Sequence, residues 1–197
     1  EIGQGADTVF SQMAAETLHM DISRVHIVTQ QDTDVTPFDT GAYASRQSFV
    51  TGTAVKECAQ QLKQKILEYA RTLVPGNVDR LELEDGYILA DGKPAISLED
   101  LAMESYYSLS NSSVLTAEVS RQVKKNTVAS GCCFAEVEVD MKLGKIKVLD
   151  IVNVHDSGTL LNPQLAEMQV HGGMSMGMGY GLSEQLLLDE KTGRPLN

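Results

Sequence analysis

The sequence predicts a mixed α+β fold, with helices packed on a mixed β-sheet. Three observations carry that reading. Helical and strand periodicities both occur along the chain. The strands do not strictly alternate with helices, as an open parallel sheet would require. The strongest strand signal is a pair of apolar-rich segments, 131–140 and 145–154, joined by Met141-Lys142-Leu143-Gly144.

Each element has its own local cause. Residues 6–20 read as a helix, because Val9, Phe10, Met13, Ala14, Thr17 and Leu18 recur on one face and Asp7 complements the dipole of the first turn. Residues 24–29 alternate, with Val25, Ile27 and Thr29 on one side, and predict a strand. Residues 30–41 are rich in Thr, Asp, Pro and Gly and predict a loop. From 43 to 73 apolar residues return every three to four positions (Val50, Ala54, Cys58, Leu62, Ile66, Tyr69, Leu73), a long helix that stops before Pro75-Gly76. Residues 81–83 and 87–90 form a hairpin about Glu84-Asp85-Gly86, and Asp91-Gly92-Lys93-Pro94 reads as a second turn. Ser97 with Asp100 opens a short helix over 98–103. Residues 106–126 show no period. Asp156-Ser157-Gly158 ends the last strand, and Asn162-Pro163 opens a helix towards Leu182. Gly172, Gly173, Gly177 and Gly179 in that helix each cost about 1 kcal/mol relative to alanine, so another element or a ligand is expected against that backbone. No internal repeat or long linker demands two domains. A subdivision, if present, falls near residues 75–125.

Composition excludes several classes. A net charge of −11 leaves no basic face for phosphate neutralisation or for an anionic membrane. No run approaches the ~18–20 apolar residues of a membrane span, and no signal-like segment opens the chain, so it reads as soluble. Cys58, Cys132 and Cys133 do not form a disulfide framework, and neighbours on a strand make a poor chelating pair. They are expected to be plain buried thiols in a reducing cytoplasm. The first residue is Glu1, so a chain truncated at its start is expected.

Three segments could carry chemistry. Glu1-Ile2-Gly3-Gln4-Gly5 places a glycine-flanked glutamine before a helix, and Asp39-Thr40-Gly41-Ala42-Tyr43-Ala44-Ser45 leads small residues and hydroxyls into the long helix. Both put helix-terminal N–H groups where a phosphate or another oxyanion could be held, and Gln4, Thr40 and Ser45 add directional donors and acceptors. The third is Gln169, an amide on the glycine-rich helix. Taken singly, each also fits a plain turn, a packed helix start and an exposed amide. No dinucleotide fingerprint, phosphate loop or nucleophile elbow is present. His19, His26, His155 and His171 lack ligand spacing. His155-Asp156 could pair as acid and base, although strand neighbours face apart. Met168, Met174, Met176 and Met178 read as gap-fillers beside the glycines rather than copper ligands.

Together and in order, the runs 1–8, 36–46, 131–140 and 161–173 resemble the xanthine dehydrogenase and aldehyde oxidase family of molybdenum hydroxylases, over nearly the whole chain. The resemblance implies that Ile2, Gly3 and Gln4 hold the phosphate and pterin portions of a molybdenum–molybdopterin cofactor. It implies that Gly41, Ala42, Tyr43, Ala44 and Ser45 wrap the pterin dithiolene, with the Ala42 backbone beside the molybdenum. Gln169 would hydrogen-bond the molybdopterin. The cytosine dinucleotide form of the cofactor, common in bacterial members, is compatible with these residues.

The same resemblance implies that no catalytic residue lies within the chain. The general-base glutamate is expected beyond Asn197, and the substrate-orienting Arg and Phe before Glu1. Iron–sulfur centres and FAD are expected on partner subunits or domains, and the remainder of the molybdenum subunit is the first partner. The reaction implied is hydroxylation of a purine or related N-heterocycle with water-derived oxygen, with nicotinate or aldehyde oxidation as the runner-up. The isolated chain is expected to be inactive and prone to self-association. Two other classes are a non-catalytic scaffold that kept the fold and a small α/β interaction domain without a cofactor. The amides and small residues weigh against the first, and the four ordered motifs against the second.

Overall fold

The computed structural model describes all residues except Gln30, Gln31, Val35, Pro37 and Asn126. Four of these belong to the predicted loop 30–41 and one to the stretch 106–126, so those parts of the two readings lie outside the described residues. The chain divides into two compact units, Glu1–Thr127 and Val128–Asn197.

The first unit opens with α1 (Ala6–Leu18), entered through Gly5 in the left-handed region and closed by His19, whose N–H reaches the carbonyls of Ala15 and Glu16. The predicted strand over residues 24–29 does not form. Ile22–Arg24 is a 3-10 turn capped by the Asp21 carboxylate, and among the described residues no strand pairs with the alternating residues after it. Alternation marks a strand only where a neighbouring strand takes its hydrogen bonds. Arg24 instead pairs with Glu99 and lies against Gly86.

Helix α2 (Gln47–Leu73) begins four residues later than its periodicity predicts, because Ala44 and Ser45 hold left-handed backbone. Its buried face is Gly52, Ala59, Ile66, Tyr69 and Ala70. The predicted stripe Val50, Ala54, Cys58 and Leu62 flanks that face and is half-buried. Helix α1 packs on α2 at Gly52, where an added Cβ would stand 2.9 Å from the Met13 sulfur and terminal methyl. Glycine there lets the helices approach.

A three-stranded antiparallel meander follows, β1 (Leu81–Glu84), β2 (Tyr87–Ala90) and β3 (Lys93–Ser97). The segment read as a second turn is therefore half strand: only Asp91-Gly92 turns, and Lys93 and Pro94 pair with Ala90 and Leu89. Proline is tolerated because β3 is an edge strand beside a register shift at Ile88/Leu89. Ser97 caps α3 (Leu98–Tyr107), accepting from the Asp100 N–H at 3.0 Å and donating to its carboxylate at 2.6 Å. This helix runs four residues past the expected Met103. Leu83, Ile88 and Leu101 are fully buried and, with Ile66, Tyr69, Ala70 and Leu81, form the core under the sheet.

The second unit is a long antiparallel hairpin, β4 (Ser130–Asp140) and β5 (Lys145–Asp156), followed by α4 (Pro163–Leu182). The Asp140 carboxylate accepts from the Lys142 and Leu143 N–H groups and sets the turn. Asn162 caps α4 through the Leu165 N–H, with Pro163 in the first turn. Among the described residues of this unit none is buried. One expectation fails here. Cys132 and Cys133 are exposed and Cys58 is half-buried, so the thiols are free but not core residues. Along α4 the Glu184 side chain lies against Gly179, whereas a Cβ at Gly172, Gly173 or Gly177 would meet no described atom within 4 Å. No described helix is long and apolar enough to cross a membrane.

Candidate functional site

The Gly-Gln-Gly segment bends because two glycines take positive φ: Gly3 and Gly5 both stand at +92°. At Gly3 a side chain would meet no atom within 4 Å, so open space lies beside that backbone. Gln4 is held from both ends. Its Oε1 accepts from the Ile2 N–H at 2.9 Å, and its Nε2 donates to Gln47 Oε1 at 3.1 Å. Ile2 itself is 89% exposed, so only its backbone takes part.

The N–H groups at the start of α1 are not open, contrary to the sequence expectation. The Glu1 carboxylate accepts from Gly5, Ala6 and Asp7 at 3.1, 3.3 and 3.2 Å. Burial tends to raise the Glu1 carboxyl, but the hydrogen bonds from Gly5, the Asp7 side chain, Ala6 and the Asp7 backbone outweigh it and hold the group below the usual glutamate value. Asp7 is pushed up, by desolvation first and then by its hydrogen bond to Glu1 and that residue's charge. The segment thus binds a carboxylate already, which shows that its donors suit an anionic oxygen pair.

The second segment folds as a tight loop. Gly41 has φ +112°, and Ala44 and Ser45 stand at 54° and 52°, a conformation that side-chain-bearing residues adopt at a cost. Gly41 and Ala42 are half-buried, whereas Tyr43, Ala44 and Ser45 are exposed. Arg46 closes the loop: its Nη1 donates to Thr40 Oγ1 at 2.8 Å and to the Gly41 carbonyl at 3.2 Å, and lies 3.5 Å from Asp39 Oδ1. Its guanidinium also sits 5.3 Å from the Tyr43 ring centre. The Arg46 side chain makes no hydrogen bond as the N-cap of α2.

The Gln4–Gln47 hydrogen bond brings the first motif to the end of this loop, since Gln47 lies two residues past Ser45. Sequence reasoning did not single out Glu1, Arg46 or Gln47. The signals were a carboxylate four to six residues before a helix's first N–H groups, and an arginine three residues after an aromatic ring. Gln169 belongs to the second unit, exposed midway along α4. His155 stands across from Gly131, where a Cβ would come within 2.8 Å of its Nδ1, so its ring lies along the hairpin.

These elements can be compared with known proteins. A family model described as the molybdopterin cofactor-binding domain matches residues 1–197. A xanthine dehydrogenase molybdenum-binding subunit from Escherichia coli is 48% identical over 196 residues, which is 98% of this chain and 26% of that protein. Quinoline 2-oxidoreductase from Pseudomonas putida superposes with a TM-score of 0.83 at 26% identity, over 100% of this chain and 26% of its own. Reconstituted CO dehydrogenase from Oligotropha carboxidovorans superposes at 0.82, also with 26% identity, over 100% of this chain and 25% of its own. The chain spans about a quarter of the length of the relatives it matches. Its match to the family model from first residue to last decides the assignment: the chain belongs to the molybdopterin cofactor-binding domain family.

Proposed function

We propose that the chain is the part of a xanthine-dehydrogenase-type molybdenum subunit that grips the molybdopterin cofactor, with Ile2, Gly3 and Gln4 on one side and the loop Gly41, Ala42, Tyr43, Ala44 and Ser45 on the other. The observation that carries this reading is the Gln4–Gln47 bridge, which holds the first motif at the end of the loop. The residues fit the group. Gly3 opens onto free space, and the loop offers small side chains over turned backbone. When bound, the cofactor supplies two-electron chemistry that places water-derived oxygen on an electron-poor carbon. This chain's residues would bind and orient it: the amide of Gln4 is fixed in direction, and the 41–45 backbone would set how closely the group could approach, with Ala42 among the residues that would face the metal. No residue here is assigned the proton transfer, which falls to a glutamate elsewhere in the parent protein.

The parent is read as an oxidoreductase for a purine or related N-heterocycle, because the 48%-identical relative is named a xanthine dehydrogenase subunit. It would work in the cytoplasm with iron–sulfur and FAD subunits or domains, and the free thiols are in keeping with a reducing compartment. The cofactor form we favour is the cytosine dinucleotide. Nicotinate or aldehyde oxidation is the second reading; the fold likeness to a quinoline oxidoreductase, an enzyme for a fused pyridine ring, bears on its nicotinate arm. Incubating the purified parent with hypoxanthine, nicotinate and an aldehyde in isotopically labelled water separates them. Labelled oxygen in the purine product supports the first reading. Label confined to nicotinate or the acid product supports the second.

A further inference from the structure

We propose that Arg46 is the positioning residue that holds the 40–45 loop in its cofactor-receiving shape, an inference that rests on the cofactor reading above. The loop carries three positive φ angles within five residues, two of them at Ala44 and Ser45. Such backbone persists only where surrounding contacts over-determine it. Here the contacts converge on one side chain. Arg46 reaches Thr40 Oγ1, the Gly41 carbonyl and the Asp39 carboxylate with one nitrogen and sits by the Tyr43 ring, while its own N–H donates to the Tyr43 carbonyl at 3.3 Å. It therefore touches residues 39, 40, 41 and 43 from a position just past Ser45, closing the loop on itself.

The combination of oxygen contacts and an aromatic neighbour suits an arginine. A planar guanidinium can bond two oxygens and lie near an aromatic ring at once, whereas an ammonium is a compact charge on a flexible stem. The side chain is 28% exposed, so most of it is withdrawn into the loop it organises. Arg46 need not touch the cofactor; it acts through the backbone of Gly41 and Ala42.

The test compares the full-length parent with its Arg46→Ala, Arg46→Lys and Thr40→Val variants. Three quantities are read: molybdenum per chain after gel filtration, the rate of chymotrypsin cleavage at Tyr43 in protein from molybdate-starved cells, and the melting temperature. Arg46→Ala should speed cleavage at Tyr43 at least about fivefold, since cleavage follows the open population, and should lower molybdenum per chain severalfold with little change in melting. Arg46→Lys should resemble Arg46→Ala, and Thr40→Val should show a smaller change in the same direction. Wild-type cleavage in the variants would overturn the proposal. So would faster cleavage with undiminished molybdenum, which would leave Arg46 a purely local support. If Arg46→Ala fails to fold, Arg46→Lys and Thr40→Val decide the question alone. A wild-type parent without molybdenum would sink the cofactor reading, while the cleavage comparison would still decide whether Arg46 holds the loop.

Discussion

Glu1 and Asp7 show how single residues at the first motif compete for the same backbone. The three N–H groups that start α1 are bonded to the Glu1 carboxylate, which stays charged because those bonds favour its anionic form. Since the folded value of Glu1 is lowered, its contribution to the helix start is complete above the usual glutamate range and fades as pH falls through the lowered value. Asp7 shifts the other way, because desolvation and the neighbouring Glu1 carboxylate favour its protonated form. Protection of the Gly5, Ala6 and Asp7 amides against hydrogen exchange should therefore hold at neutral pH and collapse as pH falls through the lowered Glu1 value. In Glu1→Gln, protection of these amides should be weaker at neutral pH and should lose its acid transition. Unchanged protection in that variant would show that Glu1 is not the cap. Ala44 and Ser45 carry a different cost, on the order of 1–3 kcal/mol each for left-handed backbone at a residue with a side chain. Relieving it with Ala44→Gly should stabilise the chain slightly and loosen the loop.

At the level of elements, two glycines decide packing, with opposite expectations. At Gly52 an added methyl presses on the flexible end of Met13 and reaches the Phe10 ring only at ordinary contact distance, so Gly52→Ala should change stability by less than about 1 kcal/mol, the helix-propensity gain offsetting the contact. Gly52→Leu overfills the α1–α2 contact and should cost about 1–3 kcal/mol. At Gly131 the methyl meets the Val154 carbonyl at 2.9 Å as well as the His155 ring, and backbone cannot swing aside. Gly131→Ala should therefore perturb the β4–β5 register, seen as shifted amide resonances along both strands. Thermal denaturation orders the Gly52 pair, and a Gly52→Leu protein as stable as wild type would contradict the packing described. The elements that were legible in the sequence had local causes: the period of α1 and α2, the turns at Asp85-Gly86 and 141–144, and the Asn162-Pro163 start of α4. What was not legible depended on partners. Residues 25–29 alternate but find no strand to pair with, and Lys93-Pro94 looks like a turn until β2 lies beside it. The start of α2 was misplaced because periodicity does not register a left-handed Ala44-Ser45 pair. The small residues of the site were visible, whereas Glu1, Arg46 and Gln47 act through contacts at distances that spacing alone does not give.

Over the whole molecule, burial is uneven. The first unit has its own core, while the second exposes Phe134, Val139, Ile146, Val152 and Val154 along its hairpin and buries none of its described residues. A two-stranded hairpin is marginal in water without something on its apolar face. The isolated chain should therefore self-associate, giving sizing profiles that shift to larger species with concentration, and a monodisperse monomer at high concentration would contradict this. In the parent that surface belongs to the remainder of the molybdenum subunit, on the reading proposed above. The central claim is that this chain grips a molybdenum–molybdopterin cofactor through Gln4 and the 41–45 loop. It is tested most directly by elemental mass spectrometry of molybdenum and phosphorus in the full-length parent from its own host, beside its Gln4→Ala variant. The account predicts near-stoichiometric molybdenum in the wild type and a severalfold loss in the variant. No molybdenum in the wild type, from cells that make the cofactor normally, would contradict it.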